Sequence, residues 1–145
     1  MTASDEESPL ERAVGRVGDR WALLVAHALL GGAKRFGELQ QAVPGIASNV
    51  LSQRLKGLER EGVVLARPYC TRPPRFAYEL TASGQELAGA LRLLAQWGSA
   101  EGGSEGLHHE ACGTAMEARW WCPTCARTVD DHEAGDADGG ELRYV

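Results

Sequence analysis

Two sets of side chains in this 145-residue chain have types and spacings that could do chemistry. Near the C-terminus, His109-Glu110-Ala111-Cys112-Gly113 and Cys122-Pro123-Thr124-Cys125 each place two residues between potential ligands, and nine residues separate the pairs. One imidazole and three thiolates form a soft four-coordinate set that suits Zn2+, and Gly113 and Pro123 suit the tight turns around it. His109 repeats the gap of the cysteine pair, with His108 as the substitute. Four protein ligands leave no vacant coordination position, so the expected role is structural. A segment of about 22 residues cannot otherwise build a core, so the metal would supply its folding energy. Trp120 or Trp121 can pack over such a module. A thiol–disulfide switch competes with this reading, whereas a redox enzyme using Cys122 and Cys125 would need a βαβ setting that the pattern lacks.

The second set lies on one predicted helix, Ser48 to Arg60, with Ser48 as its expected N-cap. At about 100° per residue, Leu51, Leu55 and Leu58 fall on one apolar stripe. Asn49, Gln53, Lys56 and Arg60 fall on the opposite side, with Ser52 beside them. Asn and Gln can pair bidentately with adenine, while Lys and Ser can donate to base edges or phosphates. Ser48, Asn49, Ser52, Gln53 and Lys56 are therefore DNA-contact candidates, and Arg60 suits a phosphate. Arg67, Arg72 and Arg75 then cluster around a proline-flanked turn, with no acid between Gly62 and Glu79. Three guanidinium groups on a hairpin suit phosphate or minor-groove contact.

The elements that must position these groups follow from periodicity and punctuation. A short amphipathic helix spans Leu10 to Val17, and Asp19 caps a second, Arg20 to Leu30, that is apolar nearly all round and so belongs at the centre of the fold. Gly31-Gly32 ends it. Phe36 to Val43 forms a third helix, and Pro44-Gly45 turns the chain into the fourth. Strands Val63 to Tyr69 and Phe76 to Leu80 flank a protruding Cys70–Arg75 loop, whose prolines cannot extend a ladder. Thr81 starts a fifth helix reaching Trp97. The fold class is mainly α with a small β-hairpin, a winged helix-turn-helix, plus a small C-terminal zinc-knuckle module.

The expected organisation is a disordered acidic arm over 1–9, a winged helix DNA-binding and dimerisation domain over 10–98, and a flexible linker over 99–107. A zinc-ribbon-like module over 108–129 and an acidic disordered tail over 130–145 complete it. The net charge of −5 separates accordingly: residues 10–98 carry +5, against −3 before them and −7 after. The acidity therefore does not argue against a nucleic-acid partner. Leu87, Ala90, Leu91, Leu93, Leu94 and Trp97 cover more of the fifth helix than one core contact needs, which predicts a homodimer through the first and fifth helices. The longest apolar run, Trp21 to Leu30, is too short to span a bilayer, and the N-terminus lacks a signal peptide's order, so a cytoplasmic location is expected. No nucleophile–base pair or open metal site points to an enzyme.

Asp19-Arg20-Trp21, Leu29-Leu30-Gly31-Gly32, Arg35-Phe36-Gly37-Glu38-Leu39, Pro44-Gly45-Ile46 and Leu51-Ser52-Gln53-Arg54-Leu55-Lys56-Gly57-Leu58-Glu59 run in order, followed by Pro73 to Thr81 and Gly84. Together they resemble the HxlR-type bacterial transcription regulators, relatives of the MarR group. The resemblance implies a dimeric winged helix protein that binds a double-stranded DNA operator as a repressor or activator. Several members of the family sense oxidants through a cysteine just before the first helix, where this chain has Ser8-Pro9-Leu10. Serine has no accessible thiolate chemistry, and Cys70 reads as an incidental small residue. Two other functions draw on the same features: a protein-interaction module whose zinc unit recruits a partner, and a metal- or thiol-responsive sensor.

Overall fold

Ser8 and Glu11 show how local chemistry starts the fold in the computed structural model, which describes residues 7–99 and 106–135. The Glu11 backbone N–H donates to Ser8 Oγ at 3.2 Å, and the Ser8 N–H donates to Glu11 Oε2 at 2.7 Å. This reciprocal box satisfies donors that a helix start leaves free. It opens α1, Pro9–Val17. Ser8 is thus the cap and Pro9 the first residue of a helix, so the helix starts before the expected boundary at residue 10; residues 1–6 lie outside the described residues. The position at which the resemblance would place a sensing cysteine is a helix cap.

The described residues divide into two compact units, residues 13–94 and residues 7–12 with 95–99 and 106–135. In the first, Asp19 accepts from the backbone N–H groups of Trp21 and Ala22 at 3.0 and 3.1 Å and caps α2, Arg20–Ala28. A 3-10 turn over Leu29–Gly31 finishes that segment. Two residues, Lys34–Arg35, form β1, which the apolar pattern was too short to reveal. Helix α3, Phe36–Ala42, leads through Gly45, at a positive φ of 83°, to α4, Ser48–Arg60.

The cap of α4 differs from expectation. Ala47 is the N-cap and makes no side-chain bond, so Ser48 is the first helical residue. The sheet also goes beyond a hairpin. Strands β2, Val64–Thr71, and β3, Pro74–Leu80, pair antiparallel, and β1 adds to the other side of β3 in the order β1-β3-β2. The expected 70–75 loop is mostly ladder, with Cys70 facing Arg75 and Thr71 facing Pro74. Proline is tolerated here because Pro74 begins its strand and Pro68 lies in an edge strand. The register shifts between Pro68 and Cys70, a bulge at Tyr69.

The fifth helix proves to be two. Thr81 Oγ1 accepts from the Gly84 N–H at 3.1 Å and caps α5, Ala82–Glu86. The Leu87 N–H then bonds back to the Gly84 carbonyl, tightening the turn before α6, Ala88–Ser99. The core gathers Val25, Ala26 and Leu29 of the second helical segment, Leu39, Leu51, Leu55 and Leu58 of α3 and α4, and Val63, Val64, Leu80 and Leu91. Each fully buried leucine contributes roughly 2–3 kcal/mol of transfer free energy. Leu24 is an exception to the expected buried centre and remains exposed.

In the other unit, an isolated antiparallel bridge joins His108 to Ala115, and strands β4, Trp120–Cys122, and β5, Arg127–Val129, form a second hairpin. The expected disordered tail is ordered at its start. Asp131–Glu133 make a 3-10 turn whose Glu133 carboxylate takes both guanidinium nitrogens of Arg127 at 3.0 and 2.7 Å. That fork holds the Glu133 carboxyl down to about 2. Residues 100–105 of the expected linker and 136–145 of the tail lie outside the described residues, while Ser99 ends α6 and Leu107 accepts a bond from Met116.

Candidate nucleic-acid interface

Helix α4 sorts its residues by burial as its periodicity requires. Leu51, Leu55 and Leu58 are at most 1% exposed and fix one face in the core. Ser48, Asn49, Gln53, Lys56 and Arg60 are exposed, and Ser52 is half-buried beside them. Gln53, Lys56 and Arg60 line one open depression together with Arg54 and Glu59. Because Ala47 takes the cap position, the Ser48 hydroxyl is not spent on the helix end.

Arg54, which periodicity alone did not single out, positions this helix. Its Nε donates to Asp19 Oδ1 at 2.7 Å, the same oxygen that caps α2. One carboxylate thereby ties the starts of α2 and the middle of α4. Partial burial works to raise the Asp19 pKa, but the N–H of Ala22, the Arg54 guanidinium and the N–H of Trp21 outweigh it and hold the carboxyl below its ordinary value.

The wing supplies the second charged surface. Arg67, Arg72 and Arg75 are all exposed. Arg67 is not free, contrary to expectation, because its Nε bonds to Glu79. Glu79 faces Leu65 and Arg67 faces Ala77, so the two are diagonal neighbours on adjacent strands, within reach of long side chains. Only the register reveals this, since they stand twelve residues apart in sequence. Among the described residues no carboxylate pairs with Arg72 or Arg75, nor with Lys56 or Arg60. At the base of the wing the Arg35 guanidinium lies 4.4 Å from the Tyr69 ring centroid, a cation–π contact between the end of β1 and the bulge. Cys70 only directs its thiol at the Arg72 carbonyl, 3.7 Å away.

The C-terminal candidate ligands are brought together in pairs. His109 Nδ1 lies 3.3 Å from Cys112 Sγ, and the Cys125 N–H points at Cys122 Sγ from 3.5 Å. The Cys125 N–H lowers the Cys122 pKa, and Cys122 in turn raises that of Cys125. His108 is engaged elsewhere, with Nδ1 on the Gly106 carbonyl. Among the described residues no three His, Cys, Asp or Glu side chains converge closely enough to hold an ion.

A short helix, a tight turn, a second helix with a polar outer face and a basic antiparallel wing define a winged helix-turn-helix protein. The chain belongs to the family of HxlR-like helix-turn-helix proteins, matched over residues 16–105. An uncharacterised HTH-type transcriptional regulator of Mycobacterium tuberculosis is 35% identical over 86% of this chain and 81% of its own length. The HTH-type regulator YvaP of Bacillus subtilis is 39% identical over 67% of this chain and 90% of its own. Among solved structures, an HTH-type transcriptional regulator, YtcD, superposes with a TM-score of 0.60 at 34% identity, covering 65% of this chain and 96% of that one. The redox regulator HypR in its reduced form gives 0.61 at 30%, covering 65% and 93%. The relatives are transcriptional regulators, and so is the function of this fold here. No helix of the described residues is long and apolar enough to cross a membrane.

Proposed function

We propose that the protein is a sequence-specific regulator that binds a two-fold operator in the cytoplasm as a homodimer, with α4 in the major groove and the wing on the adjacent backbone. The observation that carries this reading is the split of α4. Its leucine face is immobilised in the core while Asn49, Gln53, Lys56 and Arg60 remain exposed on the other side. Asn49, Ser52 and Gln53 occupy the N-terminal half, which reads base edges in helix-turn-helix complexes. Ser48, Lys56 and Arg60 are assigned to phosphates or neighbouring edges, and Arg72 and Arg75 to the backbone beside the groove. Arg67 can join them only by releasing Glu79. The dimer is supported by the apolar residues that α1 and α6 leave exposed: Leu10 and Val14 on one, Leu93, Leu94 and Trp97 on the other.

Four unpaired cations per subunit set the expected salt dependence. If Lys56, Arg60, Arg72 and Arg75 each neutralise one phosphate, a dimer neutralises about eight and log K falls against log salt with a slope near about −7. Fluorescence anisotropy with DNA from upstream of the protein's own gene measures this directly. Gln53→Ala should weaken the operator selectively, by about 1–3 kcal/mol, whereas Arg75→Ala should weaken all DNA and flatten the slope by about one per subunit. Absence of salt-sensitive binding to that DNA and to every fragment in a genomic selection would falsify the assignment.

A further inference from the structure

The C-terminal unit contains a feature that DNA binding does not use. Residues 106–135 adopt two defined hairpins, yet none of these residues is buried. Trp120 and Trp121, the largest apolar side chains available to them, are 56% and 61% exposed. Two strands without a core are at best marginally stable in water, and small units of this kind depend on a staple. All four cysteines are free, so no disulfide supplies one.

The two hairpins share a turn geometry. In the first, the Cys112 and Gly113 N–H groups both bond to the His109 carbonyl, at 3.2 and 2.7 Å, and Gly113 follows in the left-handed region at φ 71°. In the second, the Cys125 N–H turns toward Cys122 Sγ, and Ala126 follows in the same region at φ 52°. Ala126 is the one non-glycine residue with positive φ among the described residues. An alanine held there has a steric cost that the turn must offset. With Zn–S and Zn–N bonds of about 2.3 and 2.0 Å at tetrahedral angles, neighbouring ligand atoms stand about 3.5 Å apart. His109 Nδ1 and Cys112 Sγ are already at 3.3 Å. The backbone distinguishes the two histidines as well. His108 lies in the bridge to Ala115 with its ring on Gly106, whereas His109 stands at the turn with the cysteine.

We propose that His109, through Nδ1, with Cys112, Cys122 and Cys125, forms a closed four-ligand site for one Zn2+ per chain, and that the ion draws the two knuckle turns onto each other. The His109–Cys112 and Cys122–Cys125 pairs belong to two hairpins joined by the short 116–119 segment, so binding one ion to all four donors and closing the hairpins on each other are one event. Three thiolates and an imidazole select a soft, tetrahedral ion, and the filled shell leaves no position for a substrate.

The test uses the full-length protein, purified reduced, with zinc and then cobalt as probes. Metal analysis should find about one zinc per chain. Cobalt replacement should give the visible absorption of a tetrahedral thiolate site, and a thiol reagent should titrate at most Cys70 until a chelator exposes three more. His108→Gln should keep the metal, while His109→Gln and Cys122→Ser should lose it. The cobalt spectrum of the unsubstituted chain is independent of whether a variant folds. Metal-free protein with four reactive thiols after reconstitution overturns the site. So does one ion per two chains that is unaffected by His109→Gln and Cys112→Ser, which would assign the metal to Cys122 and Cys125 of two copies.

Discussion

Replacing Gly84 by alanine adds one methyl group at the point where α5 meets the start of the wing. A Cβ on Gly84 falls 2.2 Å from the Val63 carbonyl oxygen and 3.1 and 3.2 Å from Cδ2 and Cβ of Leu80. Carbon and oxygen need about 3.3 Å even in a close contact, so the backbones must part by about 1 Å. The carbonyl cannot simply turn aside, because it accepts from the Thr81 N–H at 3.0 Å, with the Thr81 hydroxyl at 3.3 Å. Overpacking of this kind costs about 1–3 kcal/mol, and weakening the Thr81 bond adds about 1 kcal/mol. Alanine returns about 1 kcal/mol through its better helix propensity. The net destabilisation is therefore about 1–3 kcal/mol, or a melting temperature lower by roughly 5–20 °C for a domain of this size. Thermal unfolding followed by circular dichroism at fixed protein concentration measures it. Gly89→Ala is the control, since its Cβ meets nothing within 4 Å in α6 and the same propensity gain should leave stability unchanged or higher. A Gly84→Ala protein that melts at or above the parent would refute the steric argument.

Three further outcomes follow from the ion pairs and the proposed metal site. Glu79→Gln should release Arg67 at little cost in stability, because the Arg67 side chain is exposed and the half-buried carboxylate is replaced by an amide of the same shape. DNA affinity should then rise roughly a few-fold at low salt with a steeper salt slope; an unchanged slope would place that face of the wing away from the backbone. Asp19→Asn should retain the cap and lose the ion pair with Arg54. Because the folded pKa of Asp19 lies below its ordinary 3.8, its contribution is present above that value and disappears as pH falls through the lowered one. The stability gap between parent and variant in urea unfolding should be constant from pH 7 to about 5 and shrink as pH falls below Asp19's ordinary 3.8; a gap unchanged at low pH would show that charge plays no part. Chelation of the zinc-loaded chain should change the emission of Trp120 and Trp121 while leaving the salt slope of DNA binding intact, and no emission change in a protein that demonstrably lost metal would argue against a coupled closure.

Much of the DNA-binding half is legible in the sequence because its signals are local. Asp19 before an apolar run, Pro44-Gly45 between two amphipathic segments and the leucines of α4 at helical spacing each depend on neighbours within a turn or two. Burial follows from them, since the stripe of Leu51, Leu55 and Leu58 has one place to go. The exposed polar face is its geometrical complement. Ser48 is the local exception: an N-cap preference is a choice among adjacent residues, and Ala47 held the extended backbone conformation instead.

Tertiary structure decided what depends on register and approach between distant segments. Arg67 reads as a free cation until the β2–β3 ladder sets it diagonally across from Glu79. Arg54 becomes the link between α4 and Asp19 only when the two helices pack. The two residues of β1 carry no pattern of their own and are a strand because β3 offers an open edge. Gly84 is required because the Val63 carbonyl lies where its side chain would be. For the four candidate ligands, sequence supplied the donors, their spacing and the choice of His109 over His108, and the backbone added the two matching turns and set the His108 ring on the Gly106 carbonyl. Spacing along a chain fixes which groups can meet within a turn, while hydrogen-bond register and packing fix which distant groups do.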